Sequence, residues 1–386
     1  MEVIRIGADA WGFDEERQAL ARRLQRTRRR LSLMHTGLLL AYLVALLGGV
    51  SGAVRSSTLS LPVPGWAAST IFLLILGSIG FALGWPFSYL SGYRLEHSSG
   101  MSTQSLGSWL SDQAKSFALT LGAILVAGNV LLWLLASEPV WWWPLAWALG
   151  LVVTLVLGFL APVVLAPLFF RFRPLSDAQL RTRFEALASR AGVPVLGIYE
   201  MAASAKTQRS NAAVMGLGRT RRIVITDTLL RAYTPDEIDT VLAHELGHQR
   251  FLDPLKGLVV GALLSFTMWS LAAAAYAATW SAFGFRSLSD TAGLPLLLLY
   301  SGLVSSALGP GELWWSRRRE ARADRFSLEL TQNPAAFATA MVRLNDQNLG
   351  VAHPRPWETW LFYSHPPGRE RVEMARAFVG GGKAAA

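Results

Sequence analysis

Six separate apolar stretches, each about as long as a bilayer is thick, constrain this chain more than any other feature. They fall near residues 31–54, 66–89, 117–136, 141–170, 256–280 and 293–315. A helix needs about 20 mostly apolar residues to cross a hydrocarbon core roughly 30 Å thick. Inside lipid every backbone N–H and C=O must be paired within the segment, so stretches of this kind are expected to be helices. The rest of the chain agrees: 52% of its 386 residues are hydrophobic and only 16% charged, too apolar for an ordinary soluble domain. The fourth stretch is longer than one crossing needs and is expected to tilt or extend into the interface. Trp141, Trp142, Trp143 and Trp147 at its start read as an interfacial aromatic belt.

Charge sets the orientation. Arg22, Arg23, Arg26, Arg28, Arg29 and Arg30 stand directly before the first stretch, in a polar segment that does not read as a cleavable signal peptide. The positive-inside rule places this end in the cytoplasm, and six crossings return the C-terminus to the same side. The Arg-rich segments 171–255 and 316–386 then also face the cytoplasm, while the outer loops near 55–65 and 281–292 carry little positive charge. The expected setting is a bacterial inner membrane. A net charge of +10 is explained by cytoplasmic Arg lying against anionic lipid. No basic and aromatic module of the nucleic-acid-binding kind accompanies it, so no nucleic-acid partner is expected. The absence of Cys removes disulfides and thiolate ligands, leaving His and carboxylates to build any metal site.

One pentapeptide carries chemistry. His244-Glu245-Leu246-Gly247-His248 matches H-E-x-x-H, which sets two imidazoles one helical turn apart with a carboxylate beside them. With six His in the chain, the number of accidental matches expected is on the order of 0.004. The context is helical: Thr234-Pro235-Asp236-Glu237 reads as a capping box with Pro at the first position, and Ile238, Val241, Leu242 and Leu246 recur at helical spacing. The spacing predicts a helix of about four turns from Pro235, with His244 and His248 able to reach one Zn2+ ion and Glu245 able to take a proton from water. The bland alternative is an amphipathic helix with two polar-face His.

Two His leave a tetrahedral site one protein ligand short. Glu320 and Asp324, four apart on a predicted helix after the sixth stretch, are the candidates: one carboxylate to ligate, the other to accept from a ligand imidazole. Alone, such an Arg-Glu-Arg-Asp run reads as a solvated face; beside H-E-x-x-H in a chain without Cys it reads as the missing ligand. Of the remaining His, His35 lies in an apolar stretch, His97 in a polar loop and His353 in a Pro-rich loop. His365 precedes Pro366-Pro367, a stiff turn that would hold its ring in place, although the spacing by itself suits a plain turn.

These signals divide the chain into a basic segment 1–30, four crossings over 31–170 with a polar loop at 91–116, a catalytic region 171–255, two crossings over 256–315, a second catalytic region 316–379, and a disordered tail 380–386. Within 171–255 the pattern predicts a helix capped near Ser176 or Asp177 and running to about Ala191. A short strand at 198–202 and a hairpin joining 211–217 to 222–226 follow.

The chain resembles the integral-membrane CAAX prenyl protease family of zinc metallopeptidases. The resemblance rests on His244-Glu245-Leu246-Gly247-His248, on Arg319-Glu320-Ala321-Arg322-Ala323-Asp324, on Ser364-His365-Pro366-Pro367-Gly368-Arg369-Glu370-Arg371, and on Ser210-Asn211-Ala212 and Glu96 to Ser105. It implies one Zn2+ per chain on His244, His248 and Glu320, with Glu245 as general base and Asp324 behind a ligand. His365 and Arg371 would sit at the substrate carbonyl, and Asn211 on the substrate backbone. It further implies a mainly α, polytopic membrane protein: about six transmembrane helices around a chamber, with a zincin-like α+β catalytic region on the cytoplasmic side. The partners implied are the lipid bilayer and a peptide or protein substrate, prenylated at its C-terminus or else a membrane-associated or misfolded protein. Competing readings are an HtpX-like quality-control protease and a non-catalytic membrane scaffold.

Overall fold

The computed structural model describes residues 8–216 and 218–383. The first crossing is a bent rod. Helix α1 (Glu15–Ala45) starts on Asp14, whose side chain accepts from the Arg17 N–H, and passes through a π-helical turn at Leu46–Val50 into α2 (Ser51–Leu59). Gly49 in that turn has φ 118°, a value that side chains resist. Helix α3 (Gly65–Ser88) passes through a second π-helical turn, Tyr89–Arg94, into α4 (Leu95–Ser98). Helix α5 (Leu106–Ser137) is unbroken, and α6 (Trp142–Leu160) joins α7 (Ala166–Phe169) through a third such turn, Ala161–Leu165. The segment expected as a polar loop at 91–116 is therefore largely helix ends. Its short remainder bonds to the catalytic region, where Ser102 bridges Thr207.

A small sheet follows. Strands β1 (Phe172–Pro174), β2 (Gly197–Met201), β3 (Ala212–Met215) and β4 (Arg222–Thr226) lie in the order β1-β2-β4-β3. The β2–β4 pair is parallel and the other two are antiparallel, so β3 is an edge strand. Helix α8 (Ala178–Arg190), capped by Asp177, connects β1 to β2. Helix α9 (Asp227–Ala232) leaves β4 and leads to α10 (Pro235–Arg250), which carries the H-E-x-x-H residues. The capping box expected there is formed: Glu237 accepts from the Thr234 N–H while Thr234 Oγ1 accepts from the Glu237 N–H. Leu252 turns the chain at φ 56° before α11 (Asp253–Thr279), the fifth crossing.

Helix α12 (Leu294–Thr331) carries the sixth apolar stretch and runs on without a break through Glu320 and Asp324, because no Gly or Pro interrupts the sequence after Gly311. Helices α13 (Pro334–Gln347), α14 (Pro356–Phe362) and α15 (Gly368–Lys383) complete the chain. One correction concerns the tail, expected to be disordered from 380. It is helical to Lys383, since extending a helix costs far less than starting one; residues 384–386 lie outside the described residues.

The apolar core lies between the sheet and helices α8, α10, α13 and α15, with Phe184, Ile198, Ile223, Leu242, Leu246, Phe337 and Val372 all buried. The crossings are the reverse. Among the described residues six helical runs are long and apolar enough to span a membrane, and their apolar side chains point largely outward, as Val152, Phe159, Leu263 and Leu303 do. Such a surface calls for lipid.

Candidate metal centre

Two helices make the site. Helix α10 runs from the apolar core towards the membrane and presents His244 and His248 on one face; α12 crosses it and presents Glu320 and Asp324. Gly247 lets them meet. A Cβ there would stand 3.0 Å from the Phe326 ring and 3.4 Å from Ala323 Cα, so only glycine allows this approach without displacement. Atoms of His244, His248 and Glu320 that could ligate a metal all lie within 4.8 Å of one another.

The imidazoles are oriented from behind. His244 Nδ1 lies 2.8 Å from Asp324 Oδ1, and His248 Nδ1 lies 2.9 Å from Asp253 Oδ2. A carboxylate at each Nδ1 places a proton there and turns each Nε2 inward. The two Nε2 atoms are then only 3.2 Å apart. Glu320 Oε2 sits 3.1 Å from His244 Nε2 and 3.2 Å from His365 Nε2, yet it is buried and has no hydrogen bond of acceptable geometry. Electron-rich atoms packed this closely fit a shared cation. Two imidazoles and a carboxylate are a donor set suited to zinc.

The same carboxylates hold protons on the imidazoles, which a bound cation would displace. Burial alone would push the His244 imidazole down, but Asp324 and Glu320 outweigh it and hold it at about 9. His248 is likewise raised against burial, by Glu320 and Asp253. Burial pushes the Glu245 carboxyl up, only partly offset by His244 and His248, which makes it a stronger base than a solvated Glu. His365 is held below the usual His range by loss of water on the side of its ring that faces the site and by the Arg371 and His244 charges, against the pull of Glu320.

Arg371, on α15, forms a two-pronged pair with Asp324: Nε donates to Oδ2 at 2.8 Å and Nη2 to Oδ1 at 2.5 Å. Asp324 thus links His244 to Arg371. His365 stands at the mouth, with Ser364 Oγ 2.8 Å from its Nδ1. Asn211 belongs to the head of edge strand β3, not to the cluster around Glu320; its N–H donates to Thr226 Oγ1. The structure therefore gathers His244, His248, Glu245, Glu320, Asp324, His365 and Arg371, with Asn211 on the neighbouring strand. His35 stacks on Phe87, His97 lies between the Tyr93 and Gln104 carbonyls, and His353 bonds to Asp9; none joins the site. Asp253 is the residue that sequence reasoning missed. Two ligand imidazoles each call for a carboxylate partner, and only one had been named.

Comparisons with known proteins bear on the whole chain. The profile described as peptidase family M48 matches residues 174–379, and the one described as CAAX prenyl protease N-terminal, five membrane helices, matches residues 11–171. The described residues of that second region hold four candidate spans. An uncharacterized metalloprotease YhfN of Bacillus subtilis is 31% identical over 339 residues, 86% of this chain and 79% of its own. CAAX prenyl protease 1 of Saccharomyces cerevisiae is 30% identical over 330 residues, 79% of this chain and 71% of its own. The crystal structure of S. mikatae Ste24p superposes with a TM-score of 0.84 at 25% identity, covering 97% of this chain and 91% of that one. Family matches across both halves, with one fold throughout, lead to a single conclusion: the chain belongs to peptidase family M48, as an integral, multi-pass membrane metalloprotease of the zinc class.

Proposed function

We propose that this protein hydrolyses peptide bonds at one zinc ion per chain, held by His244, His248 and Glu320. The observation that carries this is the convergence of three ligand atoms within 4.8 Å, each imidazole backed by a carboxylate. When bound there, zinc supplies a Lewis acid for the scissile carbonyl and makes water acidic near neutral pH. Glu245 takes the proton from the attacking water and delivers it to the leaving amine; its raised carboxyl suits both transfers. His365, exposed at the mouth, donates to the developing negative oxygen. Nε and Nη2 of Arg371 are committed to Asp324, so its part in that stabilisation falls to Nη1. Strand β3 has one edge unpaired by the sheet, and Asn211 at its head holds the backbone of an extended peptide there. Such pairing is indifferent to side chains, which suits broad sequence specificity.

The substrates proposed are lipidated C-terminal peptides of the CAAX type, or membrane-associated and misfolded proteins presented as extended chains. The relatives named as CAAX prenyl proteases support the first. The catalytic side is assigned to the cytoplasm by the Arg run before the first crossing. The test is mass spectrometry of products from farnesylated and unmodified peptides of one sequence. Preferred cleavage of the farnesylated peptide is expected for the lipid-directed reading; equal cleavage supports the quality-control one. Glu245→Gln is the control: it retains one zinc per chain and loses at least about a hundredfold in rate. Undiminished cleavage by a zinc-loaded Glu245→Gln protein would falsify its role as base.

A further inference from the structure

The short helix α14 contributes nothing to the metal centre, yet its surface is unusual. It reads Pro356-Trp357-Glu358-Thr359-Trp360-Leu361-Phe362. Trp357, Trp360, Leu361 and Phe362 are 46%, 54%, 36% and 54% exposed. Water-facing surfaces rarely gather so much aromatic area on two turns. The polar groups of the helix are spent elsewhere. Glu358 pairs with Arg29 of α1 at 2.7 Å, and the Thr359 and Tyr363 carbonyls accept from Arg317 Nη1 of α12 at 2.9 and 2.7 Å.

Those two arginines fix the height of the helix. After Arg29 and Arg30, α1 has no Asp, Glu, Lys or Arg until Arg55; Arg317 opens the basic run that ends the apolar part of α12. Both mark where a crossing leaves the hydrocarbon. Arg29 also lies 5.0 Å from the Trp357 and Phe362 ring centres, so it holds the aromatic face itself at that level. Exposed Trp314 on α12 and exposed Leu33 and Met34 on α1 continue the apolar surface into the membrane-spanning part, and exposed Arg26, Arg30 and Arg355 flank it.

We propose that α14 lies in the plane of the bilayer interface as a wedge, with Trp357, Trp360, Leu361 and Phe362 inserted among the lipids and Arg26, Arg30 and Arg355 on headgroup phosphates. Tryptophan prefers that depth, and arginine beside it can reach outward to phosphate. Seven residues are too few to cross and too few to be stable alone. Pinned by Arg29 and Arg317 and covered by lipid, the helix is held from both sides. Ser364 and His365 follow after one residue, so the wedge ties the bilayer surface to the mouth of the metal centre.

The chain has no Cys, which makes the test direct. Full-length Trp357→Cys, Trp360→Cys and Leu361→Cys proteins carry a thiol-linked fluorophore in phosphatidylcholine and phosphatidylglycerol vesicles. Leu33→Cys, on the apolar part of α1, and Thr182→Cys, on exposed α8, are the reference positions. Labels at 357, 360 and 361 are expected to be quenched by brominated lipid as at 33, and by aqueous iodide at least about fivefold less than at 182. Iodide quenching equal to that at 182 would overturn the proposal, since a face turned to water or to an internal chamber gives that result. Protection from both quenchers would overturn it too, since a protein partner or a second copy gives that one. Three positions are read independently, so one misfolded variant leaves the answer intact.

Discussion

Two carboxylates stand behind two imidazoles, and they are not equivalent. Asp253 serves His248 and also pairs with Arg322, which is partly exposed; Asp324 serves His244 and is fully buried against Arg371. Asp253→Asn should therefore weaken zinc binding roughly 10–100-fold by releasing the His248 tautomer, with little loss of fold. Asp324→Asn should weaken binding similarly and in addition destabilise the protein by about 3–5 kcal/mol, because it leaves the Arg371 guanidinium without its buried partner. Metal titration and thermal unfolding, measured on both variants, separate the two effects. Equal unfolding temperatures would sink the distinction.

At the scale of elements, the approach of α10 to α12 decides whether a third ligand is present. Gly247→Val places branched carbon where Phe326 and the Ala323 backbone already stand. Its loss of zinc affinity should exceed that of Asp253→Asn while helicity by circular dichroism is retained; unchanged affinity would show that the helices are not held apart by bulk at 247. A second contact tests the seam between sheet and loop. Burial pushes the Asp227 carboxyl up, but the Ser204 hydroxyl and N–H and the Arg231 charge outweigh it and hold it below the ordinary 3.8. A carboxyl lowered in this way contributes stability that is complete above its unfolded value and lost as pH falls through the folded one. Asp227→Asn should cost about 1–3 kcal/mol at pH 7, and its deficit in unfolding temperature should shrink as the pH drops below 3.8. A deficit independent of pH would exclude the linkage.

The whole molecule sets its ionisable site at the membrane border. Charged ligands are costly in lipid, so they must face protein or water, and α12 satisfies this by carrying the crossing and the ligands on one continuous rod. If the crossings enclose the site in a chamber, access is limited by shape: a short peptide should be cleaved much faster than the same sequence displayed on a tightly folded reporter, measured with purified protein in vesicles. Equal rates would argue for an open site.

What could be read in the residues alone was periodicity and spacing. Six apolar runs of bilayer length, an i,i+4 pair of imidazoles in a capped helix, and a second i,i+4 pair of carboxylates are local patterns, and local physics is enough to interpret them. Asp253 was invisible because its meaning depends on a chain reversal at Leu252 that folds it back onto His248. The outward aromatic face of α14 escaped for a related reason. Its position comes from contacts between residues far apart in the chain, such as Arg29 with Glu358 and Arg317 with Tyr363. The sequence by itself determined which groups could do chemistry and that the chain crosses a membrane; only the tertiary structure decided which carboxylate meets which imidazole, because that depends on how closely two helices pack.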